Sequence, residues 1–504
     1  MKVLPRVFDN VKNIIVDGDP MLKRAPDLAS MLDYWNLTDA LIDGAKAVRH
    51  EGEKYLPKFP SEDEKTYKFR KQLTKFTNVY RDIVESLSSK PFEKQISLIE
   101  PSEGSIPEHI LEFVKDVDGA GNNLTAFGSQ SFFNGINSAI DWIFVDYPKD
   151  NNPDRVKTVA DVKAQGIRPW WSHVLGRNVL EARSEVIDGT ETLTYIRILE
   201  PGKPDYIRIF ERDENGVVKF ELYKKLAKPV ANQKTSFEKI DGGDLTIEVI
   251  PLVPFMVGRR DGRTFKIYPA MRDAADLQIE LYQEESGLKY AKNLTAFPML
   301  AGNGVNPPKE ADGKTPKKLA TGPNVVLYTG QNPAGGSSGE WKFIEPSSES
   351  LKFLAADAET TKQQLRELGR QPLTAQSDNL TVVTTQVAAN KARSAVASWA
   401  LTLKDALEHA LRITCMWLGE DDDFEPIVEV YKDFDTFIEG VDNEALIKMR
   451  ENREISQLTF WHEMKRRNVL SDEFDPAIEK DRLLGEVPGD TEIDDGVEPP
   501  LQPE

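Results

Sequence analysis

The sequence is poor in the residues that build disulfides and metal centres. Its 504 residues include one cysteine, Cys415, and five histidines. A single cysteine excludes an internal disulfide and any zinc site made of several cysteines. Because the histidines are also scattered, we expect no metal site and no cofactor. They are His50, His109, His173, His409 and His462.

Long apolar runs are also missing. The opening stretch "MKVLPRVFDNVKN" contains charges and a proline where a signal peptide needs an apolar run. No later stretch approaches the ~20 apolar residues of a membrane-spanning helix. We therefore expect a protein that is made in the cytoplasm and has no membrane partner.

Basic residues are outnumbered by acidic ones, with 64 Lys and Arg against 83 Asp and Glu, for a net charge of −19. A protein that grips nucleic acid over a broad surface needs clustered Lys and Arg, so any contact with DNA should be loose. Motifs for phosphate loops, serine nucleophile elbows and zinc proteases are absent from the sequence. The sequence therefore predicts no enzyme.

One stretch resembles a calcium loop. "DVDGAGNNLTAF", residues 116–127, begins like an EF-hand loop but has Ala120 and Phe127 where that loop needs an oxygen ligand and a bidentate glutamate. We interpret it as an Asp/Gly turn that joins two helices.

The spacing of apolar residues divides the chain into helical and strand regions. Residues 27–150 have mostly helical spacing, and one helix is predicted to begin at Ser61 as its N-cap. From about 180 to 258, apolar and polar residues alternate between turn signals, which predicts a half-solvated antiparallel sheet. A helix from Pro269, short strands and a helix at about 347–368 follow.

The helix from Pro269 to Asn293 carries four carboxylates spaced three, four and four residues apart. At about 100° per residue they fall within an arc of about 80°. An ordinary solvated face explains this pattern. A second interpretation is a helix that stands between neighbours in a ring, with this acidic ridge facing the lumen, because apolar residues flank the ridge on both sides. The acidic ridge is Asp273, Asp276, Glu280 and Glu284. The flanks are Ala274, Leu277, Leu281 and Leu288 on one side and Met271, Ala275, Ile279, Tyr282 and Tyr290 on the other.

A very long helix is predicted from Thr381 to Leu418, with an apolar seam several heptads long. The abundance of alanine in the seam points to close packing against other helices. The preceding loop is longer and more polar than most helix connections need. The seam is Ala389, Ala392, Val396, Trp399, Leu403, Ala406, Ala410, Ile413 and Trp417. The loop is Gly369, Arg370, Gln371, Pro372, Leu373, Thr374, Ala375, Gln376, Ser377, Asp378 and Asn379.

Four motifs, in this order, resemble the portal proteins of tailed bacteriophages, and one portal-like family long catalogued as a domain of unknown function. They are "EKYLPKFPSEDEKTYKFRKQLTKFTNVYRDIVESLSSKPFEK" at 53–94, "DVDGAGNNLTAFGSQSFFNGINSAIDWIFVDYP" at 116–148, "IPLVPFMVGRRDGRTFKIYPAMRDAADLQIELYQEES" at 250–286 and "TQVAANKARSAVASWALTLKDALEHAL" at 385–411. The order of helices and strands also resembles that of portal proteins. The implied fold class is α+β.

The resemblance implies a ring of probably twelve subunits at one capsid vertex, through which double-stranded DNA enters and leaves. Implied partners are the terminase large subunit, a head-tail adaptor, and the major capsid and scaffolding proteins, and the implied location is the virion. The resemblance divides the chain into a helical and β-sheet wing at 1–268, a descending stem helix at 269–294, a clip at 295–346, a rising stem helix at 347–368, a tunnel loop at 369–380, a long wing or crown helix at 381–424, a C-terminal wing or crown region at 425–482 and an acidic, disordered tail at 483–504.

Simple geometry agrees with such a ring. Twelve helices at ~10 Å spacing form a circle of ~19 Å radius, which leaves a free radius of ~14 Å, wide enough for a DNA duplex. An acidic wall would repel phosphate and so allow sliding. Two alternatives stay open, a phage nucleic-acid-processing enzyme and a non-portal capsid scaffold protein.

Overall fold

The computed structural model shows an α+β protein. It describes residues 19–60, 62–100, 105–148, 168–227, 235–296, 299–303, 326–328, 340–344, 348–368, 382–419, 424–431, 441–466, 469–470, 474 and 476–485. The chain divides into two compact units, Met1–Asp433 and Phe434–Glu504.

The first unit begins with a helical layer. Its helices are α1 Pro26–Ala29, α2 Leu32–Asp43, α3 Ala45–His50, α4 Glu64–Leu73, α5 Val79–Ser89, α6 Glu108–Phe113 and α7 Leu124–Ser138. The predicted N-cap at Ser61 was wrong. Asp63 caps α4, because its side chain accepts hydrogen bonds from the backbone N–H groups of Lys65 and Thr66.

The predicted antiparallel sheet is confirmed. Five strands form one meander in the order β4-β5-β6-β7-β8. A smaller antiparallel sheet of order β3-β2-β9 lies beside helix α7, and strands β10 and β11 form a separate pair. The bounds are β2 Ile140–Asp146, β3 Trp170–Leu175, β4 Val179–Ile187, β5 Thr190–Glu200, β6 Lys203–Arg212, β7 Val218–Lys225, β8 Phe237–Asp244, β9 Leu252–Met256, β10 Gly258–Arg260 and β11 Ile267–Pro269; β1 Ser97–Leu98 pairs with β15 Val428–Glu429.

Helices account for most of residues 27–150, as predicted, but strand β2 was not expected from the sequence. Residues 140–145 are all buried, so both faces of the strand are covered and no alternation of polar and apolar residues marks it. A fully buried strand and a buried helix segment cannot be told apart by periodicity alone.

The Asp/Gly turn between α6 and α7 is confirmed. Asp118 Oδ1 accepts hydrogen bonds from the backbone N–H groups of Ala120 and Asn122, and Asp116 Oδ1 accepts one from Gly121. These two carboxylates therefore stabilise the backbone of their own loop.

Three helices follow the sheets, as predicted. They are α8 Arg272–Ala296, α9 Ser348–Leu368 and α10 Val382–Leu418. Between α8 and α9, a small sheet has the order β13-β12-β14. Its strands β12 Met299–Asn303, β13 Val326–Tyr328 and β14 Glu340–Ile344 coincide with the short strands expected from the sequence.

Among its described residues, the second unit contains three short helices, α11 Val441–Glu451, α12 Gln457–Arg466 and α13 Pro476–Gly485. The acidic tail was predicted to start at residue 483, but α13 continues to Gly485. The tail from residue 486 lies outside the described residues.

Candidate functional site

Helix α8 has a buried face and an opposite acidic face. Buried positions include Met271, Ala274, Ala275, Leu281 and Tyr282, each at most 2% exposed. At about 100° per residue, these positions centre on the side opposite the acidic ridge. The two predicted apolar flanks therefore meet behind the ridge in one broad buried face.

Polar residues lie in the middle of that buried face, and the sequence did not reveal them. Gln278 is fully buried. Its Oε1 accepts hydrogen bonds from the backbone N–H groups of Val79 and Tyr80, both at 2.9 Å, and its Nε2 donates to the carbonyl of Thr77 at 3.0 Å. Because Val79 and Tyr80 begin α5, Gln278 satisfies amides that have no partner inside that helix.

A second buried contact ties α8 to α4. Arg70, 2% exposed, donates to Ser286 Oγ at 3.0 Å and makes two hydrogen bonds of 2.8 Å to the carboxylate of Glu62. The Glu62 side chain is 3% exposed. Glu285 also accepts hydrogen bonds from the backbone and hydroxyl of Thr77. We call the three α8 residues Gln278, Glu285 and Ser286 the polar anchor.

Three members of the acidic ridge are exposed to solvent in the single chain, namely Asp273, Asp276 and Glu280. Packing around Asp276 raises the pKa of its carboxyl group, and the charge of Asp273 adds to this, whereas Arg272 opposes it. The exposed part of the ridge is thus a row of carboxylates that repel each other.

Glu284, the fourth member, turns toward α9. Its Oε1 accepts a hydrogen bond of 2.9 Å from Thr361 Oγ1, and Thr361 is 6% exposed. Its Oε2 is buried and has no hydrogen-bond partner among the described residues. Burial raises the pKa of the Glu284 carboxyl; the Thr361 hydrogen bond opposes this, and the charges of Asp357 and Glu280 add to it.

Two contacts with α5 show that α8 and α9 run antiparallel. Gln278, on the N-terminal side of Glu284 in α8, binds the start of α5. Arg366, on the C-terminal side of Thr361 in α9, pairs with Asp82 of α5 at 3.5 Å. The pair therefore leads into the small β12–β14 sheet at one end and returns to the helical layer at the other.

The tunnel loop, residues 369–380, and its predicted site residues lie outside the described residues. The apolar seam of α10 is confirmed where side chains are described. Val396, Trp399, Leu403, Ala406, Ala410 and Ile413 are at most 8% exposed, and Trp417 is partly buried.

The described residues lack two further features. No group of His, Cys, Asp or Glu side chains there could hold a metal ion. In the same part of the chain, no helix is long and apolar enough to cross a membrane.

The fold and the site define an α+β chain built around an antiparallel helix pair with a carboxylate ridge. Residues 270–418, from the start of this pair to the end of α10, match the family model described as "Domain of unknown function (DUF4055)". No curated protein matches the chain.

Three solved structures show weak structural similarity. At 12% identity, the neck of the native GTA particle computed with C12 symmetry has a TM-score of 0.35 over 80% of this chain and 88% of that chain. The neck of the empty GTA particle computed with C6 symmetry gives 0.37 at 12% identity over 81% and 90%. The virion of the native gene transfer agent particle gives 0.35 at 12% identity over 87% and 98%. TM-scores at this level support no conclusion about function.

Proposed function

We propose that this protein is a phage portal protein, a ring-forming conduit for DNA without catalysis of its own. The observation that carries the proposal is the antiparallel pair α8 and α9, which holds Asp273, Asp276 and Glu280 outward on a helix whose opposite face is fully packed. A rigid wall of exposed carboxylates is what a channel needs if DNA is to slide past without binding.

The order of helices and strands also supports the proposal of a portal protein. The pair encloses a small β insert, and a 37-residue helix follows the connecting loop, as expected for stem helices, clip, tunnel loop and wing or crown helix. In the proposed assembly, about twelve copies surround the duplex at the capsid vertex. The terminase motor, the head-tail adaptor and the capsid and scaffolding proteins would dock on the ring.

The first experiment measures the oligomeric state of the purified chain by native mass spectrometry. A closed ring, near twelve subunits, is expected. A protein that stays monomeric at high concentration contradicts the proposal, and shells or rods would indicate a capsid scaffold instead. A nuclease or ATPase assay on the same sample addresses the enzyme alternative, and we expect no turnover.

The second experiment tests the ridge itself with Asp273→Lys and Glu280→Lys combined. Glu284 is left unchanged because it bonds to Thr361. We expect intact rings and slower DNA packaging into heads. Each added lysine can bind a DNA phosphate, and this binding weakens as the salt concentration rises. The control is Asp33→Lys on α2, whose side chain is 96% exposed; it is compared with Glu280→Lys alone, so that both variants change the charge by +2. Equal packaging by both variants would exclude a ridge that faces the DNA.

A further inference from the structure

A pocket of about 410 Å³ lies away from the helix pair, between the five-stranded sheet and the end of α10. Phe210, Phe220 and Leu222, from β6 and β7, contribute apolar surface, and Trp417 of α10 lines it together with Tyr147. The volume falls in the ~300–1,000 Å³ range that is typical of ligand sites.

The pocket carries excess negative charge. Its lining includes Asp146, Asp241 and Asp244 against the single cation Arg208, which leaves a formal charge of −2. Arg208 is already engaged. It donates to Glu200 at 2.6 and 2.8 Å and to Asp146 at 3.2 Å, so its charge is not available to an anionic ligand.

Burial raises the pKa of Asp146 despite the opposing charge of Arg208. The Asp146 side chain is 21% exposed, so its carboxylate has limited contact with water. A second cation placed beside Asp146 would stabilise its ionised form and offset part of the cost of burying the charge.

The aromatic wall suits a cation as well. The rings of Tyr147 and Trp417 are stacked, with centroids 5.2 Å apart and planes 13° from parallel, and the Trp417 indole N–H donates to the carbonyl of Val145 at 3.3 Å. That bond fixes the indole, and a guanidinium or ammonium group is attracted to the face of such a ring.

The rim of the pocket is formed by an outer strand. β8 is the last strand of the five-stranded sheet among the described residues. Asp241, Gly243 and Asp244 at its end line the pocket, and Gly243 and Asp244 are exposed to solvent. Outer strands of sheets are common docking sites for extended peptide segments.

We propose that this pocket binds an arginine or lysine side chain, presented beside an aromatic or aliphatic residue by an extended segment of a partner protein. The cation lies between Asp146 and Asp244, and the neighbouring apolar residue packs on Phe210 and Trp417. This site is independent of the channel function.

The test uses three dipeptide probes on the full chain, N-acetyl-Phe-Arg-amide, its neutral citrulline isostere and N-acetyl-Phe-Glu-amide. Binding is followed by ¹⁹F NMR on protein labelled with 5-fluorotryptophan, with the Trp417 signal assigned through Trp417→Phe. We expect saturable binding of the arginine probe, at least about tenfold weaker binding of the citrulline probe and none of the glutamate probe.

Variants at the exposed rim locate the site without disturbing the core. Asp244→Asn should weaken binding of the arginine probe about twofold to fivefold, which is the effect of losing one exposed ion pair. Thr246→Lys should weaken binding of the arginine probe, and Thr246→Glu should strengthen it. Asp33→Asn is the matched control and should leave binding unchanged. Absence of saturable binding, equal binding of the arginine and citrulline probes, or insensitivity to the rim variants would each overturn the proposal.

Discussion

The two helices of the antiparallel pair are held in very different ways. α8 buries one whole face and inserts the polar anchor into the helical layer. Among the side chains of α9 that the structure describes, the buried ones are Ala358, Thr361 and Leu365, and Phe353 is 71% exposed. The chain therefore fixes α8 firmly by itself, whereas most of α9 is open to contact by other molecules. A subunit that completes its packing in a ring would show this asymmetry.

Removing Arg70 should do the greatest damage to the α8 side. Arg70→Met leaves the nearly buried Glu62 carboxylate without its partner, which typically costs about 3–5 kcal/mol. Urea denaturation measures the loss. Arg81→Met is the control, because Arg81 and Glu85 are about half exposed and such pairs contribute under about 1 kcal/mol. Equal losses in the two variants would mean that the buried pair does not anchor α8.

Gln278→Leu should have the next largest effect. It leaves the buried N–H group of Tyr80 without the Gln278 acceptor and that of Val79 with the Thr77 carbonyl alone, at 3.1 Å, which we expect to cost about 1–3 kcal/mol. Gln283→Leu serves as the control because Gln283 is an exposed residue of α8 that makes one hydrogen bond to a backbone carbonyl. If the Gln278 variant unfolds at the same urea concentration as the Gln283 variant, the hydrogen bonds of Gln278 do not contribute to the stability of the fold.

Phe353→Ser tests the open side of α9. Because Phe353 is mostly exposed, we expect the stability of the isolated subunit to change by less than about 0.5 kcal/mol. Assembly should nonetheless weaken, seen as a larger monomer fraction in native mass spectrometry after dilution. Lys352→Ser, at the neighbouring exposed position, should assemble normally. Unchanged assembly of the Phe353 variant would place the subunit contact elsewhere.

The smallest effect is expected where the two helices meet. The pKa of Glu284 is raised in the folded protein, so the native state keeps its proton to higher pH than the unfolded chain does. Stability is then lost as pH rises from the ordinary carboxyl range through the folded pKa. Glu284→Gln should match the wild type at pH 4 and exceed it at pH 7 by about 0.5 kcal/mol or less, measured by urea denaturation. A variant that is less stable at pH 7 would contradict this sign.

Much of this helix pair could be predicted from the sequence. The three and four spacing of the carboxylates and apolar residues identified α8 and its ridge, and the apolar seam identified α10. A helix was also predicted at about 347–368, where α9 lies. These patterns are local and repeat over several turns, so they can be recognised without knowing which residues each helix contacts in the fold.

The polar anchor could not be predicted in the same way. Ser286 contacts Arg70 across 216 positions of sequence, and both residues look like ordinary surface positions. Only the docking of α4 and α5 on α8 buries them. Glu284 was placed in the ridge by its spacing, but its hydrogen bond depends on Thr361 of another helix. The pocket was missed because its lining comes from segments distant in sequence.

The most direct test of the channel is a cryo-electron microscopy reconstruction of the purified oligomer that resolves α8. We expect a closed ring in which Asp273, Asp276 and Glu280 face the central opening, with the polar anchor turned away from it. A ring whose ridge faces outward or is buried between subunits would contradict the central claim.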